Sequence, residues 1–300
     1  MEKRAGYVAI IGKPNVGKST LMNAVLGQQL SIVTPKPQTT RHRILGIYTD
    51  LNTQIVFVDT PGMLEPKYKL QQFMKRELES SIVDADIILL LLDASNYNGP
   101  ELDDLCEDYK KDFSRHKVFC VLNKIDLIDK QQLLRIIDDI SHRAWIPDEI
   151  VPVSAISGYN IADLVKAIVK YLPKNEFYFG AETIATQSER FFVSEIIRKN
   201  ALKLYGEEIP YSVYVEIEEF KENRYGKDLI RAVIIVERDS QRMIVIGSQG
   251  KMIKKLGELS RKEIEDFLGR EVYLALRVKV RRNWKNDEKF LKKKFHNIDA

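Results

Sequence analysis

The sequence predicts an α/β domain, with a mostly parallel six-stranded sheet and helices on both faces, followed by a compact α+β domain. Three observations lead there. Short β-branched runs alternate with amphipathic stretches through about residue 172, the rhythm of a doubly wound sheet. That rhythm breaks in "YLPKNEFYFGAETIATQSE" (171–189), where Pro173, Gly180 and polar residues mark a linker. Beyond it, Val272, Leu274, Leu276, Val278 and Val280 keep strict period two, as expected of a strand with one buried face.

In order along the first domain, strands are expected at 7–11, 44–48, 54–58, 87–92, 118–122 and 150–153. Several are near-continuous apolar runs, which implies burial on both faces. Helices are expected near 18–28, 69–83, 101–112, 130–143 and 161–172. The polar "TDLNT" (49–53) is short enough to make the second and third strands an antiparallel hairpin. After the linker, Phe192, Ile196, Ile197, Leu202 and Leu204 suggest a helix, and Val213, Val215 and Ile217 a strand with one wet face. Another strand follows near 230–236, then a helix near 250–268. The expected division is 1–173, a linker at 174–188, and 189–300.

Composition narrows the function classes. The chain has 300 residues, 44% hydrophobic and 30% charged, so global disorder is excluded. The net charge of +4 implies little by itself, but the basic excess is concentrated between Arg270 and Lys294. Cys106 and Cys120, the only cysteines, have no metal-binding spacing and fit a reducing cytoplasm. The N-terminal apolar run is too short for a signal peptide, and "IILLLL" (87–92) is too short to span a membrane.

Four short motifs define a phosphate and base site. "GKPNVGKS" (12–19) matches a P-loop between a strand and a helix, whose backbone N–H groups cradle phosphates. Lys18 would reach the β- and γ-phosphates and Ser19 would ligate Mg²⁺. "DTPG" places Asp59 at a strand end to hold Mg²⁺, with the Gly62 N–H available to a γ-phosphate. In "NKID", the Asp126 carboxylate matches the N1–H and N2 donors of guanine, which adenine lacks. Asn123 can bond the other edge of the base, and the Lys124 stem can pack on its face. "SAIS" brings Ser154 and the Ala155 N–H, a partner for guanine O6. The candidate nucleotide contacts are therefore Gly12, Lys13, Pro14, Asn15, Val16, Gly17, Lys18, Ser19, Thr20, Asp59, Thr60, Pro61, Gly62, Asn123, Lys124, Asp126, Ser154 and Ala155. Between the first two motifs, "SIVTPKPQTTRHR" (31–43) has no periodicity and reads as a switch loop. Its Thr40, with Thr39 the second choice, would bring a hydroxyl to Mg²⁺ when the γ-phosphate is present. Lys18, Thr40 and Gly62 are the candidates for contacts that promote hydrolysis. Met63 follows the glycine where Ras-like enzymes use a water-orienting glutamine, and a thioether cannot do that work.

"GKPNVGKSTLMNAVLG", "QTTRHR", "DTPG", "NKID" and "VSAISG" closely resemble the Era GTPases, part of a translation-factor-like group. The group also includes the tRNA-modification GTPase and the double-domain ribosome GTPase. Several of its members have a hydrophobic residue where Met63 stands. In related members the asparagine matching Asn15 helps hold K⁺, so the resemblance implies Mg²⁺ with K⁺ as a further cation. Asn15 reads equally as a loop residue bonding its own backbone.

The second constellation is "VIGSQGKMIKKLG" (245–257), a Gly-x-x-Gly loop after an apolar run and before an amphipathic helix. Such a loop clamps the backbone of about four nucleotides in KH domains. Gly247, Ser248, Gln249, Gly250, Lys251, Lys254 and Lys255 are the candidate RNA contacts, joined by Arg281 and Arg282. The resemblance extends here through "SERFFVSEIIRKNAL" and "EEIPYSVYVEIEEF", and implies a type II KH domain. From the residues alone the partner is single-stranded RNA. The resemblance implies more: GTP hydrolysis coupled to binding the 3′ end of small-subunit 16S rRNA, and a role in maturing the small (30S) ribosomal subunit. "RRNWKNDEKFLKKKF" (281–295) is expected to pack Phe290, Leu291 and Phe295 on the domain and offer its bases to RNA. A membrane surface is the alternative for that basic helix, which would make the chain a cytoplasmic protein peripherally bound at the inner face of the membrane. A monomer is expected. The competing reading is a GTP-dependent switch with a protein or membrane partner and little catalysis of its own.

Overall fold

The computed structural model describes residues 2–206 and 209–296. The chain divides into two compact units, one of residues 1–31, 40–65 and 74–186, the other of 32–39, 66–73 and 187–300.

The first unit is built on a six-stranded sheet. Through residue 171 the elements run β1 (Arg4–Ile11), α1 (Lys18–Leu26), β2 (Ile44–Asp50), β3 (Thr53–Asp59), α2 (Lys69–Val83), β4 (Ile87–Asp93), α3 (Gly99–Asp108), α4 (Lys110–Phe113), β5 (Lys117–Asn123), α5 (Lys130–Ser141), β6 (Glu149–Pro152) and α6 (Ile161–Tyr171). The strand order is β2-β3-β1-β4-β5-β6, with β2 antiparallel to β3 and all other pairs parallel. The expected hairpin and parallel core are both present. Val8, Ile10, Ile88, Leu90, Phe119 and Val121 are fully buried, as two-sided burial of a parallel sheet requires. Parallel strands place their C-terminal ends on one edge, so the loops after β1, β3, β4, β5 and β6 converge there. Register makes this concrete: Ile10 pairs with Asp59, and Asp93 with Asn123. The expected helix near 101–112 is two helices, α3 and α4, divided at Tyr109. Residues 174–186 are fastened to this unit. Gln54 exchanges two hydrogen bonds with Phe179 at 2.9 and 3.0 Å, and the Ile47 N–H donates to the Ile184 carbonyl at 2.8 Å.

The second unit runs α7 (Glu189–Leu204), α8 (Ile209–Ser212), β7 (Tyr214–Lys221), β8 (Asp228–Val236), α9 (Asp239–Ile246), α10 (Lys251–Leu268), β9 (Val272–Val280) and α11 (Glu288–His296). Ser188 caps α7 by accepting from the Phe191 N–H. β8 is central, antiparallel to β7 and parallel to β9. Val193, Ile197, Ala232, Ile234, Val245, Leu256 and Ile264 form the core. No periodicity in the sequence announces α9. "RMIVI" is rich in β-branched residues and lacks a helical stripe, yet packing places it as a helix, with the Gln241 amide oxygen accepting from the Glu237 and Arg238 N–H groups. The Gly-x-x-Gly loop therefore joins two helices.

The tail follows expectation. Trp284 is fully buried and donates to the Ser212 carbonyl at 3.1 Å, while Phe290, Leu291 and Phe295 are buried beneath an exposed Lys289 and Lys293. The segment 32–39 is held in this unit by buried Arg198, which pairs with Glu195 and donates to the Thr39 carbonyl. Lys36 donates to the Tyr205 carbonyl at 2.5 Å.

Candidate nucleotide site and nucleic-acid interface

β1 delivers the P-loop and α1 begins at its lysine. Gly17 lies at φ +102°, and a Cβ there would stand 2.3 Å from the Asn123 amide nitrogen, so this position requires glycine. Lys18 is buried, its ammonium bonded to the Gly12 and Lys13 carbonyls at 3.0 and 2.9 Å. Burial pushes that ammonium down to about 8, with the Asp59 charge pulling the other way. Asn15 is exposed at φ +64°, a strained conformation that Asn tolerates better than most residues.

Asp59 is fully buried at the end of β3. Its Oδ2 accepts from the Ser19 hydroxyl at 2.7 Å and the Thr40 hydroxyl at 3.4 Å, and those two hydroxyls lie 2.9 Å apart. Its Oδ1 is buried without a hydrogen-bond partner among the described residues. Burial pushes the carboxyl up, against the bond from Ser19 and the charge of Lys18. A buried carboxylate with one unsatisfied oxygen, and two hydroxyls gathered at its other oxygen, suit a hard divalent cation that takes its remaining ligands from phosphate and water. Among the described residues no cluster of three or more His, Cys, Asp or Glu could hold a metal instead. Of the two threonines, Thr40 reaches this point. The Thr39 hydroxyl instead bonds the Lys36 carbonyl at 2.6 Å and Thr34 at 2.8 Å.

The Thr60 hydroxyl donates to the Ile10 carbonyl at 2.7 Å, so it braces β1 against β3. Past it, the Met63 N–H donates to the Gly12 carbonyl at 3.0 Å, which pins the turn carrying Pro61 and Gly62 to the P-loop. The Met63 side chain packs on the cluster that includes Ile11, Leu102 and Leu105. It is half-buried against that core.

The base-reading motifs lock together. Asn123 donates to the Val16 carbonyl at 2.8 Å and accepts from the Ala155 N–H at 2.9 Å, bridging P-loop and "SAIS" loop. Ser154 donates to Asp126 at 2.5 Å and accepts from the Ser157 N–H at 3.3 Å, so it orients the exposed carboxylate. Lys124 lies at φ +65° with its ammonium 2.5 Å from Asp93. Asp93 is absent from the sequence-derived set, because nothing short of the strand register relates it to Lys124.

On the second unit, Gly247 lies at φ +71°, where a Cβ would crowd Met252, and Gly250 precedes the first turn of α10. Lys251, Lys254 and Lys255 are exposed around that N-terminus, whose free N–H groups favour an anion. Sequence reasoning missed Met243 and Ile244, which α9 leaves 69% and 53% exposed beside the loop. They offer apolar contact to splayed bases. Arg282 is exposed, whereas Arg281 is engaged by Asp287 at 2.5 Å and lies over the Phe290 ring.

Comparison with known proteins finds relatives of both parts of the chain. A family model described as a 50S ribosome-binding GTPase matches residues 7–124, and one described as a KH domain matches residues 208–285. GTPase Era of Lactobacillus helveticus (strain DPC 4571) is 44% identical, over 97% of this chain and 95% of its own. The chloroplastic GTPase ERA1 of Zea mays is 42% identical over 97% of this chain and 70% of its own. A crystal structure of Era in complex with MgGDPNP and nucleotides 1506–1542 of 16S ribosomal RNA superposes with a TM-score of 0.92 at 40% identity, over 97% of this chain and 98% of that one. A single-substitution variant of Aquifex aeolicus Era bound to GDP and aluminium fluoride gives the same TM-score and identity over 96% and 98%. With likeness of this degree across nearly the whole chain, the protein belongs to the Era family of GTPases.

Proposed function

We propose that this GTPase uses its KH domain to bind the 3′ end of 16S rRNA, couples that binding to its nucleotide state, and acts in maturation of the small ribosomal subunit. The observation that carries the proposal is one chain holding both a complete guanine site and a lysine-rimmed Gly-x-x-Gly loop between two helices. The Era complex that contains nucleotides 1506–1542 of 16S rRNA supports the choice of RNA.

At the nucleotide site, P-loop N–H groups and Lys18 would hold the phosphates and Asp126 would select guanine, while the Ala155 N–H expected at guanine O6 is instead bonded to the Asn123 amide oxygen. Ser19, Thr40 and Asp59 would hold Mg²⁺, as MgGDPNP in the Era complex implies. When bound, that ion offsets charge developing on the transferred phosphoryl group. Thr40 engages the site from the switch loop, so γ-phosphate loss would release it. Met63 cannot orient water. In our reading the backbone near Thr39 and Thr40 takes that role, and Asn15 would hold a K⁺ supplying positive charge beside the phosphates. In sequence terms the GTPase domain is 1–173 and the KH domain 189–300, joined by 174–188. We place the protein in the cytoplasm as a monomer that meets the small subunit, with the basic face of α11 available to the inner membrane surface; among the described residues no helix is long and apolar enough to cross a membrane. Crosslinking bound RNA in cells and sequencing it tests the proposal. Reads should concentrate at the 16S 3′ end, and a uniform spread over cellular RNA would refute it.

A further inference from the structure

Asp93 lies at the C-terminal end of β4, one strand away from the base-reading loop. Parallel pairing aligns it with Asn123, so Lys124 is the first residue past the end of the neighbouring strand. Its two carboxylate oxygens divide their work. Oδ1 accepts from the Ser95 N–H at 3.0 Å and the Ser95 hydroxyl at 2.6 Å, capping the short helical turn Ala94–Asn96. Oδ2 takes the Lys124 ammonium at 2.5 Å. Burial pushes the carboxyl up, but the bonds from Lys124 and Ser95 outweigh it and hold the group below the usual carboxylate range.

Two features make this contact more than a surface ion pair. Lys124 occupies the left-handed region at φ +65°, which costs a non-glycine residue free energy and fixes the direction in which its side chain leaves the backbone. Beside it, a cavity of about 210 Å³ is bordered by Lys13, Asn15 and Val16 of the P-loop, by Asp93 and by Lys124 itself. A four-carbon stem next to that much space has other places to go. Holding it in one rotamer costs side-chain entropy that the partly buried charge pair offsets in advance.

We propose that Asp93 is a positioning residue for guanine recognition, its carboxylate anchoring the Lys124 ammonium so that the lysine stem is held as a platform for the face of the base. This rests on the assignment of Lys124 to the base site. In this role Asp93 acts through Lys124 alone.

The test measures GDP affinity with Mg²⁺, and inorganic pyrophosphate affinity as a probe without a base. Asp93→Asn keeps an oxygen for the Ser95 cap and removes the negative charge that faces the Lys124 ammonium; Asp93→Ser does the same if the first variant folds poorly. Asp93→Asn should weaken GDP about tenfold, the scale of one charge-assisted hydrogen bond, and leave pyrophosphate unchanged. In a Lys124→Ala background the same substitution should cost nothing further, because the platform is already gone. If Lys124→Ala weakens GDP while Asp93→Asn does not, Asp93 has no positioning role. Equal losses for GDP and pyrophosphate, or full losses in both backgrounds, assign Asp93 to the turn alone and overturn the proposal. If Lys124→Ala itself leaves GDP affinity unchanged, the base-site assignment of Lys124 fails, and the proposal falls with it for a separately visible reason.

Discussion

Lys18 and Asp59 are opposite charges withdrawn from water at one point, and each is shifted towards neutrality by burial. Phosphate binding favours the Lys18 ammonium. Above about 8 the nucleotide-free lysine is largely neutral, so binding must take up a proton and affinity falls as pH rises. Below about 8 this group contributes no slope. GDP titrations at pH 7 and pH 9 should therefore differ, and calorimetry in buffers of different ionisation enthalpy should report proton uptake only at the higher pH. Met63 gives a second prediction. Its side chain packs on the core, so Met63→Gln should not accelerate hydrolysis. Burying an amide there should lower stability by about 1–2 kcal/mol, measured as a reduced denaturant midpoint with single-turnover rate unchanged or lower. A rate gain of the roughly 10³–10⁵-fold scale of an arginine finger would show that the water lacks a replacement orienter. Most of the nucleotide site was legible because each motif is contiguous in sequence. Asp93 was not, since an ion pair between residues on separate strands is visible only through their register.

Elements differ in how openly the sequence declares them. The parallel strands of the first unit are apolar runs that could hardly lie elsewhere than in a two-sided sheet, and β9 keeps its period to the residue. α9 was illegible because "RMIVI" carries strand-favouring residues, and only packing of Val245 into the core selects a helix. That helix changes the functional picture, since it presents Met243 and Ile244 next to the Gly-x-x-Gly loop. The loop itself gives a sharp test. Ser248→Asp combined with Gln249→Asp puts two carboxylates where the nucleotide backbone approaches. RNA affinity should fall tenfold or more at fixed salt, while GTP turnover without RNA stays unchanged. Loss of turnover in RNA-free solution would mean the loop serves the fold rather than RNA.

For the whole molecule, the proposal that nucleotide state governs RNA binding requires the two ligands to have coupled affinities. Linkage makes this reciprocal: if GTP favours RNA binding, RNA favours GTP to the same degree. The most direct measurement is the affinity of a 16S 3′-end fragment for the full chain with MgGDPNP and with MgGDP, at one salt concentration. We predict tighter binding with MgGDPNP, and equal affinity in the two nucleotide states would contradict the account.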